Sequence, residues 1–274
     1  MGWPHTFHNS SRCVSLRPSL AKLTQLRSLD VSGCRSDKAV PFELLGALAG
    51  LRSLNLNYTS VDDAQLAEIV RCCTELTHLQ LSRCAQLVRG ATFRQVLTGL
   101  PRLESLIASN NASVSVDSFC APAPADGETM STTPTPLSLT ELDVSGCVWI
   151  TDAALAALCR LLPSLTSLAL TKCHSITDWS PLTADARGGL ASSLAHLKIN
   201  GTGVNDAALA VIVRGLPALT TINLMDCRGI TPAGLACFAD GAPALQDLKL
   251  NWRGYRAALQ ELRGRRPDLH ATTK

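Results

Sequence analysis

Apolar residues return in one fixed order along this chain. A Leu is followed by two variable residues, a second Leu, one variable residue, a third apolar residue and two more positions before a Cys, Thr or Asn. Five copies end in Cys: Leu26/Leu29/Val31/Cys34, Leu76/Leu79/Leu81/Cys84, Leu139/Leu142/Val144/Cys147, Leu165/Leu168/Leu170/Cys173 and Leu219/Ile222/Leu224/Cys227. Four keep the apolar triplet and change the last residue: Leu51/Leu54/Leu56/Thr59, Leu103/Leu106/Ala108/Asn111, Leu194/Leu197/Ile199/Thr202 and Leu245/Leu248/Leu250/Arg253. The alternation inside each copy predicts a short strand with two apolar side chains on one face and the intervening residues on the other.

A second pattern follows several of the turns. In Ile150-Thr151-Asp152-Ala153-Ala154-Leu155 and Val204-Asn205-Asp206-Ala207-Ala208-Leu209, Thr151 and Asn205 stand where helix N-caps belong, with an acid in the first turn. Ile176-Thr177-Asp178 and Ile230-Thr231-Pro232 repeat the signal. Pro101, Pro163, Pro217 and Pro243 each stand two residues before a strand-leading Leu, where a helix must stop. A strand, a turn and a helix recurring at a period of roughly 25 residues signal stacked units that cannot bury their apolar faces alone. The predicted fold is therefore an α/β right-handed leucine-rich repeat solenoid, a horseshoe with a concave parallel β-sheet and convex helices.

The boundaries follow from where the pattern begins and ends. Residues 1–19 read as an N-terminal tail, either disordered or a partial cap, and residues 20–270 as one repeat domain of about nine repeats. Residues 271–274 read as a C-terminal tail. Tyr255 to Arg263 should form the last helix, and Arg263, Arg265 and Arg266 a solvated, basic end cap. The interval between Leu103 and Leu139 is stretched by a Pro/Ala/Thr-rich segment near residues 120–138, which reads as a tolerated loop insertion on the convex side.

Composition changes this picture little. A net charge of +3 argues for neither nucleic acid nor membrane. Eleven cysteines would suggest disulfides in a small secreted chain, but five of them share one repeat position. Their regularity reads as packing: a Cys at a tight turn fills a narrow space and hydrogen-bonds a carbonyl. Free buried thiols imply a reducing compartment, so the expected location is the cytoplasm or the nucleus. The start of the chain lacks the apolar core of a signal peptide.

With Cys73-Thr-Glu-Leu76-Thr-His-Leu79-Gln-Leu81-Ser-Arg-Cys84 and the Ile-Thr-Asp helix starts in view, the chain resembles the cysteine-containing leucine-rich repeats of F-box/LRR proteins. The resemblance covers residues 20 to 270. It implies substrate recognition in an SCF-type, ubiquitin-dependent degradation pathway. An F-box docks a Skp-type adaptor, and none is seen in Met1 to Ser19. The expectation is thus a fragment or an F-box-less relative, with a Skp-type adaptor as partner only if an F-box lies outside this chain. The alternative is a structural scaffold subunit of a larger intracellular complex.

In such solenoids the outward strand residues and the two before the turn are free to vary, and they line the concave face. The candidate protein-binding residues are Asn55, Tyr58, His78 and Arg83 on adjacent repeats, and Lys172, His196, Lys198, Asn223, Lys249 and Trp252 further on. Aromatics and Arg are the usual anchors of protein interfaces. Nothing else rises to a site. Cys173-His174 is a core position beside a surface one, Cys72-Cys73 lacks a matching metal-ligand pair, and no phosphate-binding glycine loop occurs. The expectation is a non-enzymatic module with no cofactor, metal, small-molecule substrate, nucleic acid or membrane partner.

Overall fold

The computed structural model describes residues 6–8, 25–34, 48–112, 114, 138–183, 190–251 and 254–273. The chain divides into two compact units, Met1–Leu139 and Thr140–Lys274. Trp252, Arg253 and the loop expected near 120–138 lie outside the described residues, apart from Ser138 at the loop's end.

In the first unit the strands are β1 (Thr6–His8), β2 (Ser28–Asp30), β3 (Ser53–Asn55), β4 (His78–Gln80) and β5 (Ser105–Ile107). Each pairs in parallel with the next in chain order. The register superposes equivalent repeat positions, so Leu29, Leu54, Leu79 and Leu106 form one column, each at 1% exposure or less. Two helices lie behind, α1 (Asp63–Cys72) and α2 (Gly90–Gly99). Asp62 and Gln65 form a reciprocal capping box at the start of α1.

The second unit repeats the plan with β6 (Glu141–Asp143), β7 (Ser167–Ala169), β8 (His196–Lys198), β9 (Thr221–Asn223), β10 (Asp247–Leu250) and β11 (His270–Thr273), again parallel and in order. Its helices are α3 (Asp152–Leu161), α4 (Asp206–Gly215) and α5 (Arg256–Arg265). Thr151 and Asn205 are the N-caps, accepting from the amides of Ala154 and Ala208. Pro163, Pro217 and Pro267 each follow a helix C-cap directly. In both units the fold is that of an α/β leucine-rich repeat solenoid.

Three expectations need correction. The Ile-Thr-Asp and Ile-Thr-Pro signals at 176 and 230 lead into 3-10 segments, Ser180–Leu182 and Ala233–Ala239, rather than α-helices. Asp178 bonds the amide and hydroxyl of Ser180 ahead of Pro181, which fixes a single tight turn. Gly234 and Gly241 press their segment against α4, where a Cβ on either would strike Asp206 or Val213. Secondly, the supposed C-terminal tail continues a strand, with Ala271, Thr272 and Thr273 extending β11 against β10; Thr6–His8, in the stretch read as disordered or a partial cap, pairs with β2. A terminal strand needs only the exposed hydrogen-bonding edge of its neighbour, and these two lack the Leu pattern. Thirdly, Arg266 is not solvated. Its side chain is 13% exposed, and its guanidinium donates to the carbonyls of Phe238, Ala242, Pro243 and Leu245.

Candidate functional site

The turn after each strand is built by the residue that ends the motif. Cys84 donates through Sγ to the Leu56 carbonyl of the preceding rung at 3.1 Å, Cys227 to Ile199 at 3.2 Å and Cys173 to Val144 at 3.4 Å. Thr59 and Thr202 donate instead to the third apolar residue of their own rung, Leu56 and Ile199. Asn111 does more: its amide nitrogen reaches the Leu81 and Ala108 carbonyls, and its oxygen accepts from the Cys84 amide. Cys, Thr and Asn alternate here because each is a small donor that fits a buried turn. All described cysteines are free. Burial pushes the thiols of Cys73, Cys173 and Cys237 up to about 11 and that of Cys159 up to about 12. A thiol held so fully protonated is a poor nucleophile and a poor metal ligand. Among the described residues no cluster of three or more His, Cys, Asp or Glu is placed to hold a metal ion.

The residue before the motif's last position adopts left-handed backbone in rung after rung. Gly33, Gly146 and Gly201 take it without strain, with φ of 76°, 71° and 68°. Tyr58, Arg83, Asn110, Lys172 and Asp226 take it with side chains, at φ between 58° and 60°. For a bulky residue this conformation costs about 1–2 kcal/mol. Three of the candidate residues, Tyr58, Arg83 and Lys172, stand at this strained position.

In the first unit, Arg83 lies over the Tyr58 ring, with the guanidinium carbon 5.5 Å from the centroid. Tyr58 is 43% exposed, on a face made mostly of small and polar residues. His78 is exposed on β4. The Thr77 hydroxyl donates to the Arg52 carbonyl, so the same oxygen accepts from His78 Nδ1 at 2.8 Å and leaves Nε2 open. Asn55 is not a free surface amide: its Oδ1 accepts from the Asn57 amide and closes the turn. Asn57 in turn bridges to Gln80 and to the Ser82 amide.

In the second unit, Lys198 and Lys249 are exposed and flank Asn223 on three consecutive strands. Asn223, like Asn55, spends its oxygen on a turn, accepting from the Met225 amide at 3.1 Å. His196 Nδ1 pairs with the Thr221 hydroxyl at 2.9 Å. Lys172 lies across Gly201 of the next rung, where a Cβ would meet its Cγ at 3.3 Å. The structure thus gathers the candidates into one patch per unit and gives Asn55 and Asn223 structural jobs. The left-handed position itself was missed. The recurring Gly at 33, 146 and 201, always in the same column, was the signal for it.

Comparison with known proteins fits this geometry. A family profile described as "Leucine Rich repeat" matches residues 136–159 and 216–239. F-box/LRR-repeat protein 4 of Bos taurus is 30% identical over 166 residues, covering 56% of this chain and 24% of that protein. The chain therefore spans about a quarter of the length of this curated relative. Among solved structures, that of a TLR13–ssRNA13 complex aligns with a TM-score of 0.56 at 22% identity, covering 85% of this chain and 30% of the other. The yeast Rad7–Elc1 complex aligns at 0.54 and 18%, covering 96% and 73%. The two structures speak to the fold. Together these findings support a leucine-rich repeat protein. More narrowly, the matched stretch is similar in sequence to F-box/LRR-repeat protein 4.

Proposed function

We propose that the chain recognises substrate proteins in an SCF-type ubiquitin-ligase pathway, in the cytoplasm or nucleus, through the open face of its strands. The observation that carries this reading is the contrast on that face. In the first unit Tyr58 and Arg83 stand out from mostly small and polar strand residues as large, exposed side chains, and in the second Lys198 and Lys249 are exposed cations on either side of Asn223. Large anchors on a rigid polar surface are how protein interfaces concentrate their energy. The relation to F-box/LRR-repeat protein 4 supports the ligase setting. A Skp-type adaptor enters only through an F-box outside this chain. No described helix is long and apolar enough to cross a membrane.

The test is capture from native lysate by immobilised wild-type chain, Arg83→Glu and Lys198→Glu. The reading expects a captured protein that carries ubiquitin, accumulates when this chain is depleted, and is lost from at least one variant. Capture unchanged by both variants would move the interface to the helical side.

A further inference from the structure

The left-handed turn position asks for glycine, and at three described rungs it has it. Asn110 and Asp226 are the residue types that tolerate the conformation best after glycine. Tyr58 and Arg83 are not, yet they occupy the position on adjacent rungs and meet there as a stacked pair. Arg83 is the sole Lys, Arg, Asp or Glu among residues 53–58, 78–83 and 105–110, the strands and turns of three consecutive rungs. Four described arginines have carboxylates at hand: Arg71 has Glu68, Arg102 has Glu75, Arg265 has Asp240 and Arg266 has Asp268. The Arg83 side chain makes no such pair among the described residues, and its guanidinium lies over the Tyr58 ring. Stacking occupies one face of the guanidinium and leaves its N–H edges for a planar anion.

We propose that Arg83, braced by Tyr58, is a carboxylate receptor for an acidic segment of a partner protein. The guanidinium fork takes an Asp or Glu side chain through two parallel hydrogen bonds, and the Tyr58 ring restricts its rotation and shields it from water. The one charge on the strands and turns of these three rungs is complementary to an acidic partner, and the left-handed backbone places both side chains where glycine would place none. This rests on the reading of the strand face as a protein-binding surface and names the chemistry it selects.

The experiment uses the intact chain and a fluorescein-labelled decapeptide of alternating Glu and Gly, with its Gln counterpart as control, read by anisotropy. The Glu peptide should bind and the Gln peptide should not. Arg83→Gly and Tyr58→Gly should each weaken binding by roughly tenfold, the worth of one lost charge-assisted contact. Their melting temperatures should hold or rise, because glycine relieves the left-handed backbone. Arg83→Lys should also lose affinity, since an ammonium keeps the charge without the fork.

Equal binding of the two peptides, full binding by Arg83→Gly, or a lowered melting temperature in both glycine variants would overturn the proposal. So would an oligouridine RNA that binds more tightly than the Glu peptide and depends on Arg83. Failure here is separable from failure of the broader reading. A natural partner lost from Lys198→Glu but kept by Arg83→Gly refutes the receptor alone.

Discussion

Asp206, the first residue of α4, holds Thr231 of the next rung through both carboxylate oxygens. Oδ1 accepts from the Thr231 amide at 2.8 Å and Oδ2 from its hydroxyl at 2.6 Å. Asp152 does the same for Thr177, at 2.7 Å to both groups. Asp63 takes the amides of Val88 and Arg89. Each acid serves its own helix start through the macrodipole and ties down the turn of the following rung.

Removing this tie should therefore cost more than an ordinary surface change. Asp206→Ala is expected to lower stability by about 1–2 kcal/mol, the worth of a lost cap. Gly234→Ala should be destabilising as well, because its Cβ would strike the Asp206 carboxylate. The two should not add fully: with Asp206 already Ala, the Gly234 change loses the clash with the carboxylate and meets only the remaining Cβ, at 3.1 Å. Thermal melts of both singles and the double check this, and a full sum of the two losses would contradict it.

Asn111 is 2% exposed and supplies partners to three backbone groups, the carbonyls of Leu81 and Ala108 and the amide of Cys84. Asn111→Ala removes all three hydrogen bonds from a buried turn and should cost about 3 kcal/mol or more. Asn111→Thr restores the single donation that Thr59 and Thr202 make in their own rungs, so it should recover part of the loss. Urea midpoints should rank wild type above Asn111→Thr, and Asn111→Thr above Asn111→Ala.

What could be seen in advance divides along physical lines. Leu54, Leu79, Leu168 and Leu197 announce themselves because burial on a period-two strand demands an apolar residue at every repeat. Cys84 and Cys173 are legible as packing for the same reason. Thr6–His8 and His270–Thr273 are not, since a terminal strand is held by a neighbour's hydrogen bonds and needs no pattern of its own. Tyr58 and Arg83 are visible as large residues on a polar face. Their left-handed backbone is hidden, because their side chains obscure the preference that Gly33, Gly146 and Gly201 display. Asn55 and Asn223 look free until the turn geometry shows them bonded to the amides two residues on.

The buried thiols set the behaviour of the fold at high pH. Burial raises Cys159 to about 12 and Cys73, Cys173 and Cys237 to about 11, against roughly 8.5 in an unfolded chain. A folded value above the unfolded one means that the stability is fully present below about pH 8.5 and is lost as pH rises through the folded values. Melting temperature should fall from about pH 9 onward, and less steeply in Cys159→Ala than in wild type. Iodoacetamide at pH 8 should spare the buried Cys84, Cys147, Cys159, Cys173 and Cys227 in the native protein and reach them in urea, as peptide mass spectrometry would show.

Arg266 offers the sharpest separation between a surface ion pair and a buried donor. Its contact with Asp268 is the obvious one, at 2.9 Å, and it holds the Asp268 carboxyl below its ordinary value. Asp268 is 58% exposed, however, and an ion pair in water contributes little. The carbonyls of Phe238, Ala242, Pro243 and Leu245 receive the other guanidinium hydrogens, where the chain passes from its 3-10 segment into β10. Asp268→Ala should therefore be nearly neutral at pH 7, while Arg266→Ala should cost about 3 kcal/mol by stripping a charged donor from several carbonyls at once. Arg266→Lys should recover less than half, since one ammonium cannot span the groups that the fork reaches. Hydrogen exchange gives the local readout. Amides of residues 238–245 and of β11 should exchange faster in Arg266→Ala and at the wild-type rate in Asp268→Ala, whereas equal effects of the two changes would make the ion pair the active element.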